Sequence, residues 1–385
     1  MEESNFGPNK TGRLIRATGI FGSFYAFIPD PLPPRWDWPT SLWPLLAEAK
    51  ASLARLDGVG KHLPDPQIVL RPLQNREAQK SSSLEGTYTE PEQQLLFQID
   101  PQQPQTNTDP ANAYREVFNY ALALRSRLQN WADLPLSLRL IKDFHRTLAQ
   151  EVPRFEGEPG EFRRTQNQIG RPPRYVPPPP EALPECLDLL EKYLHSPKRL
   201  DSLVEAFIVH YQFEAIHPFR DGNGRVGRLL LAVTIMEWCG LSNQWLYMSA
   251  YFDRNRDEYI DRLLRVSTHA EWEEWISFCL KGVIEQAADT EKRCDKLLEV
   301  QRMFKDRIRG VGGSFRLTEI VDDLLLVVPI LHIPYLAHKF NVTYPTAKAD
   351  VDRLLKANIL KELPGARRKA FYAPEVVSII YGDID

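Results

Sequence analysis

Between His217 and Arg228 the chain reads HPFRDGNGRVGR, which gathers an imidazole, a carboxylate, a Gly-Asn-Gly turn and two guanidiniums. Gly222 and Gly224 can take positive φ and let backbone N–H groups converge, and a helix starting near Gly224 aims its positive end at the same point. Arg225 and Arg228 stand three residues apart, so both reach over the first helical turn toward one bound anion. Asp221 offers a hard oxygen where a phosphate-bound Mg²⁺ would sit. His217, fixed ahead of Pro218, is the one group in the segment that titrates near neutrality, which makes it the natural general base. Any one of these residues fits a Gly-rich helix start with two surface arginines. Together they suit a polyphosphate, a metal and a proton transfer.

Such a loop needs rigid elements on both sides. The stretch from Leu200 to Glu214 is apolar on several faces and predicts a buried helix ending at the loop, with His210 in the core; Phe219 packs inward to hold the loop. Leu229 to Trp238 predicts the central helix of a bundle. Upstream, Asp109 caps a helix with Pro110 at its first position, and LPLSLRLIKDFHRTLAQEV predicts another, with His145 a packing residue. Pro159 to Gly170, PGEFRRTQNQIG, reads as a short hairpin bounded by glycines. The YVPPPP run from Tyr175 is a stiff connector into a helix over Pro184 to Leu194.

The flanks are less specific. Residues up to Pro39 read as an extended arm anchored by Trp36, Trp38 and Trp43, followed by a helix from Ser41 to about Leu56 that breaks at LDGVGKHLPDPQ. A second helix covers roughly Pro72 to Ser83, and Tyr88 to Asp109 reads as a polar surface loop. From Trp272 to about Arg309 runs a long charged amphipathic helix, and Gly310 to Ser314 reads as a flexible link. Beyond it come a helix over Leu317 to Val328, a helix–turn–helix whose second helix is Thr343 to Ala357, and two strands around a basic tip, Gly365 to Lys369.

Composition is that of a soluble protein of two or three domains: 385 residues, 43% hydrophobic and 26% charged. A net charge of −3 gives no global pull toward nucleic acid or membranes. Cys186, Cys239, Cys279 and Cys294 have no metal-ligand rhythm and read as buried thiols. No apolar run approaches a membrane span, and the polar first residues do not read as a signal peptide. A reducing cytoplasm fits.

The loop satisfies H-x-F-x-[D/E]-G-N-G-R-x-x-R at every fixed position, and on that ground the chain resembles the Fic (Fic/Doc) family. The resemblance implies a mainly α fold: a Fic-type helical core with a β-hairpin flap (109–285), an N-terminal helical domain (1–108) and a connecting helix with a C-terminal winged helix-turn-helix (286–385). It implies transfer of AMP from ATP to a Ser, Thr or Tyr hydroxyl of a target protein, self-modification included. His217 would be the base. Gly222, Asn223, Gly224, Arg225 and Arg228 would hold the ATP phosphates, with Mg²⁺ (or Mn²⁺) on Asp221 and Tyr251 and Asn255 beside the adenosine. Arg163, Arg164, Thr165, Gln166 and Asn167 fall in the flap that docks the target. Ser81, Glu85 and Gly86 fit the family's inhibitory pattern [S/T]-x-x-x-E-[G/N], in which Glu85 would pair with Arg228 in place of a terminal phosphate. The alternatives are removal of AMP by water, transfer of another phosphate-containing group, or a DNA-binding regulator working through the winged helix. The winged-helix face carries Asp350 and Asp352 against Lys348, Arg353 and Lys356, so protein docking or a homodimer competes with DNA there.

Overall fold

The computed structural model of the chain describes residues 3–19, 22–63, 65–129, 134–170, 172–197, 200–312, 314–325, 328–364, 366 and 368–382. Alternating side chains make the first stretch a hairpin and not an extended arm: β1 (Gly12–Gly19) pairs antiparallel with β2 (Gly22–Pro29), Gly12 opposite Pro29. Phe27 is fully buried, and its N–H donates to Val176 O at 2.9 Å, which lays the hairpin on the core. The tryptophans do cluster. Trp36 lies 5.5 Å from Trp38, which lies 5.6 Å from Trp43.

Helix α1 (Trp43–Lys61) runs past the expected break at Leu56. Gly60 stays helical because it admits the Trp245 ring; a Cβ there would come within 2.2 Å of it. Helix α2 (Gln67–Leu84) starts a turn earlier than expected and holds Pro72 inside, its first turn fixed by burial of Ile68, Val69 and Leu70. The expected surface loop after it contains α3 (Pro91–Ile99), with Pro91 at its start and Gln94, Leu95 and Phe97 buried. Leu95 sits in a small apolar cluster with Ile330, Leu363, Ala370 and Val377, so the α3 region and the C-terminal region share a core.

The centre is helical, as expected. It comprises α4 (Ala111–Gln129), α5 (Leu138–Ala149), α6 (Leu183–Leu194), α7 (Ser202–Ile216) and α8 (Asn223–Trp238). Asp201 caps α7 by accepting from Leu203 N, and α7 is buried on nearly every face. Then come α9 (Ser249–Arg254), α10 (Arg256–His269) and the 39-residue α11 (Trp272–Gly310), which crosses position 285 without interruption.

Between Pro159 and Gly170 there is no strand pair. One antiparallel bridge, Ile169 to Tyr175, closes an otherwise irregular loop, because Arg163 and Asn167 spend their side chains on backbone carbonyls. The C-terminal region runs α12 (Phe315–Glu319), β3 (Ile330–Leu331), α13 (Ile333–Lys339), α14 (Tyr344–Lys356), β4 (Lys361–Glu362), β5 (Phe371–Tyr372) and α15 (Pro374–Tyr381). Its strands lie in the order β3-β5-β4, antiparallel. Asp350 does not join the surface of α14 as expected; it is 1% exposed and pairs with Arg316 at 2.6 Å. Gly313 of the link, and Gly365 and Arg367 of the basic tip, lie outside the described residues.

Candidate active site

Helix α7 ends at Ile216, and His217 turns the chain with φ 49° and ψ 61°, a conformation non-glycine residues seldom hold without surrounding support. The support is visible. Asn223 accepts from Phe219 N and donates to Phe219 O, both at 2.8 Å, closing the loop on itself. Its side chain is therefore spent on the loop, and only its backbone remains for the phosphates it was expected to hold. Phe219 is fully buried and stacks on His145, centroids 3.9 Å apart. His145 accepts from Gly160 N at 2.8 Å, which leaves its other ring nitrogen to donate to Asp221 O at 3.2 Å. Burial lowers its pKa to about 4, so it serves as a neutral brace. The sequence reading gave His145 packing alone and missed this role.

The flap residues split into two groups. Arg163 is 6% exposed and donates to His217 O at 2.8 Å, Thr165 O at 3.1 Å and Pro178 O at 2.5 Å. Asn167 donates to Phe219 O at 2.9 Å, and Gln166 to Pro177 O at 2.9 Å. These three turn inward and fasten the flap to the loop, since buried carbonyls need donors. Arg164 and Thr165 are exposed.

At the other end of the loop, Gly222 takes φ 75° and opens α8. A Cβ on Gly224 would lie 2.1 Å from Glu85 Oε1, which places the Glu85 carboxylate directly over the helix start. Arg228 donates to that oxygen at 2.7 Å, to Ser81 Oγ at 2.8 Å and to Ser81 O at 2.8 Å. Gly86, with φ 84°, turns the chain away just past α2. Ser81, Glu85 and Arg228 thus meet across 143 residues of sequence. Burial opposes ionisation of Glu85, but the charge and hydrogen bond of Arg228 outweigh it and hold its carboxyl below the usual range.

Arg225 is held differently. It donates to Glu116 Oε2 at 2.9 Å and to Asp221 Oδ1 at 3.3 Å. Glu116, on α4 and 4% exposed, also receives Thr87 and Arg154. Sequence offered no sign of it beyond a single acid inside an amphipathic helix.

A cavity of ≈ 400 Å³ opens beside this set. Glu85, Glu214, His217, Gly224, Arg228 and Arg256 are among the polar part of its lining, and Tyr175, Tyr259, Ile260, Leu263 and Leu264 are among the rest. Tyr251 and Asn255 are not among the residues that line this cavity. Tyr251 packs on Phe278 at 4.9 Å, and Asn255 donates to Tyr251 O at the α9–α10 junction. The helix restarts at Arg256, so the stripe 259, 260, 263, 264, 267 faces the cavity instead, at the spacing of one helix face. Burial, then the charge of Arg163, lowers the pKa of His217 to about 4, so its imidazole is neutral near pH 7 and able to accept a proton.

Among the described residues no group of three or more His, Cys, Asp or Glu could cage a metal. Asp221 keeps 36% of its side-chain surface and is the exposed carboxylate of the loop. One such carboxylate fits a Mg²⁺ that takes its other ligands from phosphates and water. Among the described residues, no helix is long and apolar enough to cross a membrane.

Residues 135–235 match the Fic/DOC family, and residues 43–129 match the Fic/DOC family N-terminal model. A probable protein adenylyltransferase of Aquifex aeolicus (strain VF5) is 40% identical over 90 residues, 23% of this chain and 26% of that protein. Protein adenylyltransferase Fic of Drosophila grimshawi is 39% identical over 105 residues, 27% and 21% of the two chains. The chain therefore spans about a quarter of the length of these curated relatives. Among solved structures, a Fic family protein from Desulfovibrio desulfuricans G20 superposes with a TM-score of 0.57 over 89% of this chain and 98% of that one, at 20% identity. Fic-1 from C. elegans gives 0.52 over 66% and 74%, also at 20% identity. At that identity the two structures establish a shared, mainly helical fold.

Proposed function

Because this chain belongs to the Fic/DOC family, we propose that it is a protein adenylyltransferase, moving AMP from ATP to a Ser, Thr or Tyr hydroxyl of a target protein and of itself. One observation carries the reading: a neutral imidazole, a helix N-terminus and the buried Arg228 share one cavity with an apolar stripe, and Arg225 is buried one turn along the same helix. The apolar stripe on α10 suits a base, and the α8 N-terminus with Arg225 and Arg228 suits the phosphates. The target hydroxyl oxygen attacks the α-phosphorus, and His217 takes its proton. The bond from that phosphorus to the bridging oxygen breaks, and pyrophosphate leaves against the arginines. Asp221 would hold Mg²⁺, which neutralises phosphate charge when bound. Exposed Arg164 and Thr165 at the flap suit main-chain docking of the target.

Glu85 makes the resting chain autoinhibited. Its carboxylate occupies the place of an anion over Gly224 and takes the Arg228 guanidinium that a terminal phosphate needs. The C-terminal region reads as a winged helix from its element order. With Asp350 turned inward, the exposed face of α14 carries Lys348, Arg353 and Lys356 against Asp352 alone, which favours an acidic partner such as DNA more than the sequence suggested. A cytoplasmic setting and a homodimer complete the reading. Incubation with α-labelled ATP and lysate, followed by mass spectrometry, tests it: an AMP-sized addition on a hydroxyl supports it. Another added mass assigns a different phosphate-containing donor, and loss of preformed AMP assigns the reverse reaction.

A further inference from the structure

Glu85 lies one residue past the end of α2, so the direction of its carboxylate is set by whatever holds the last two turns of that helix. Glu77, Lys80 and Leu84 recur at helical spacing on one face of α2. Opposite them Ser249, Asp253 and Arg256 recur at similar spacing along α9 and into α10. The two rows meet in three rungs. Glu77 accepts from Ser249 N at 3.2 Å and from its hydroxyl, and from Tyr120 at 3.1 Å. Asp253 accepts from Ser83 Oγ at 3.0 Å and pairs with Lys80 at 3.3 Å. Arg256 donates to Leu84 O at 3.2 Å, one of the last carbonyls of α2, which lack helical partners.

We propose that this ladder is the latch that sets how firmly Glu85 inhibits, with Ser83 and Asp253 as positioning residues that act on Glu85 through α2. The inference deepens the autoinhibited reading and rests on it. The rungs are graded. Glu77 is 3% exposed, so the inner rung is part of the fold. At the middle rung Lys80 keeps 37% and Asp253 18% of their side-chain surface, and there water competes with each bond. Release therefore begins at the Glu85 end: the last turn of α2 peels from α9–α10 while the inner rung holds. Asp253 lies outside the lining of the nucleotide cavity, so it does not touch the nucleotide, and the Glu85→Gly background tells whether its effect passes through Glu85.

The test uses the full chain and self-modification from labelled ATP. Ser83→Ala and Asp253→Ala are each made alone and on a Glu85→Gly background, with Glu85→Gly itself as the reference for full release. Ser83→Ala removes one hydroxyl from a partly exposed position, so it keeps the fold even if the aspartate variant does not. Each single change should raise the rate about 3- to 10-fold, the factor expected for losing one hydrogen bond of ordinary net strength at a partly exposed site, and stay below Glu85→Gly. Neither should raise it further once Glu85 is gone. Wild-type rates for both variants beside an activated Glu85→Gly would reduce the ladder to packing and leave autoinhibition standing. A rise on both backgrounds would place these residues in catalysis and overturn the latch. If Glu85→Gly is itself no faster than wild type, autoinhibition fails and the latch with it.

Discussion

Arg225 and Arg228 are one helical turn apart, equally buried, and aimed at the same helix N-terminus, yet they are held by opposite kinds of partner. Arg225 is fixed by Glu116, a 4% exposed acid in the middle of α4 that also anchors Arg154 and Thr87. Arg228 is fixed by Ser81 and Glu85 at the C-terminal end of α2, and the Glu85 side chain keeps 38% of its surface because it faces the open cavity. A carboxylate inside a bundle cannot leave without unfolding its surroundings. One just past a helix end can swing away at the cost of a few hydrogen bonds. On the proposed reading, the first arginine would be a permanent part of the anion site and the second would be on loan.

The largest effect tests whether the pair serves a reaction at all. On a Glu85→Gly background, His217→Ala should cut AMP transfer by ~10²–10⁴-fold while leaving ATP binding close to intact, since the imidazole acts on the incoming hydroxyl. Transfer at an undiminished rate would make His217 a strained structural residue. Next comes the borrowed arginine. Glu85→Gly should raise self-modification by roughly a hundredfold, equivalent to ~3 kcal/mol in productive binding, and Glu85→Gly/Arg228→Ala should lose that gain. A labelled-ATP assay in which Glu85→Gly matches wild type would remove the contrast between the two arginines.

The permanent arginine should respond in stability and not in regulation. Glu116→Ala leaves Arg225 buried with only the longer contact to Asp221, a loss of about 3 kcal/mol in a chemical denaturation curve. It should give no activation. Gain of activity from Glu116→Ala, with stability unchanged, would mean that both carboxylates are releasable.

Much of this was legible in the sequence because it is local. The loop from His217 to Arg228 declares its helix start, its turn and its charges within a dozen residues, and the helices on either side follow from continuous burial. Glu85 was legible because a short pattern marked it. Its geometry over Gly224 was not, since that depends on how α2 crosses the core. The apolar stripe that faces the cavity from α10 was not legible, because the break between α9 and α10 sets which face of the next helix turns inward. Arg163 and Asn167 were assigned to the flap for its main-chain edge; that their side chains turn inward to the carbonyls of Ile216, His217 and Phe219 was not legible, because those acceptors come from a distant stretch of the chain.

The smallest effect concerns a second acid beside Arg228. Glu214, on α7, faces Gly227, where a Cβ would lie 2.1 Å from its Oε1, and that oxygen has no hydrogen-bond partner among the described residues. Burial pushes its carboxyl up to about 8; Arg228 opposes the rise and Glu85 adds to it. Unfolded, the same group titrates near ~4.3. Between those values the folded chain binds a proton that the unfolded chain does not, so stability falls as pH rises through the window, by about 1.4 kcal/mol per pH unit at most. Glu214→Gln cannot ionise. It should match wild type near pH 4 and pull ahead steadily to about pH 8, beyond which the gap stays constant. Removing Glu85 takes away a like charge, so in Glu85→Gly the window should close at a lower pH than in wild type. Thermal midpoints of the three chains from pH 4 to 9 decide the matter. If wild type and Glu214→Gln run parallel across that range, Glu214 is ionised in the folded chain and Arg228 has two charged partners instead of one.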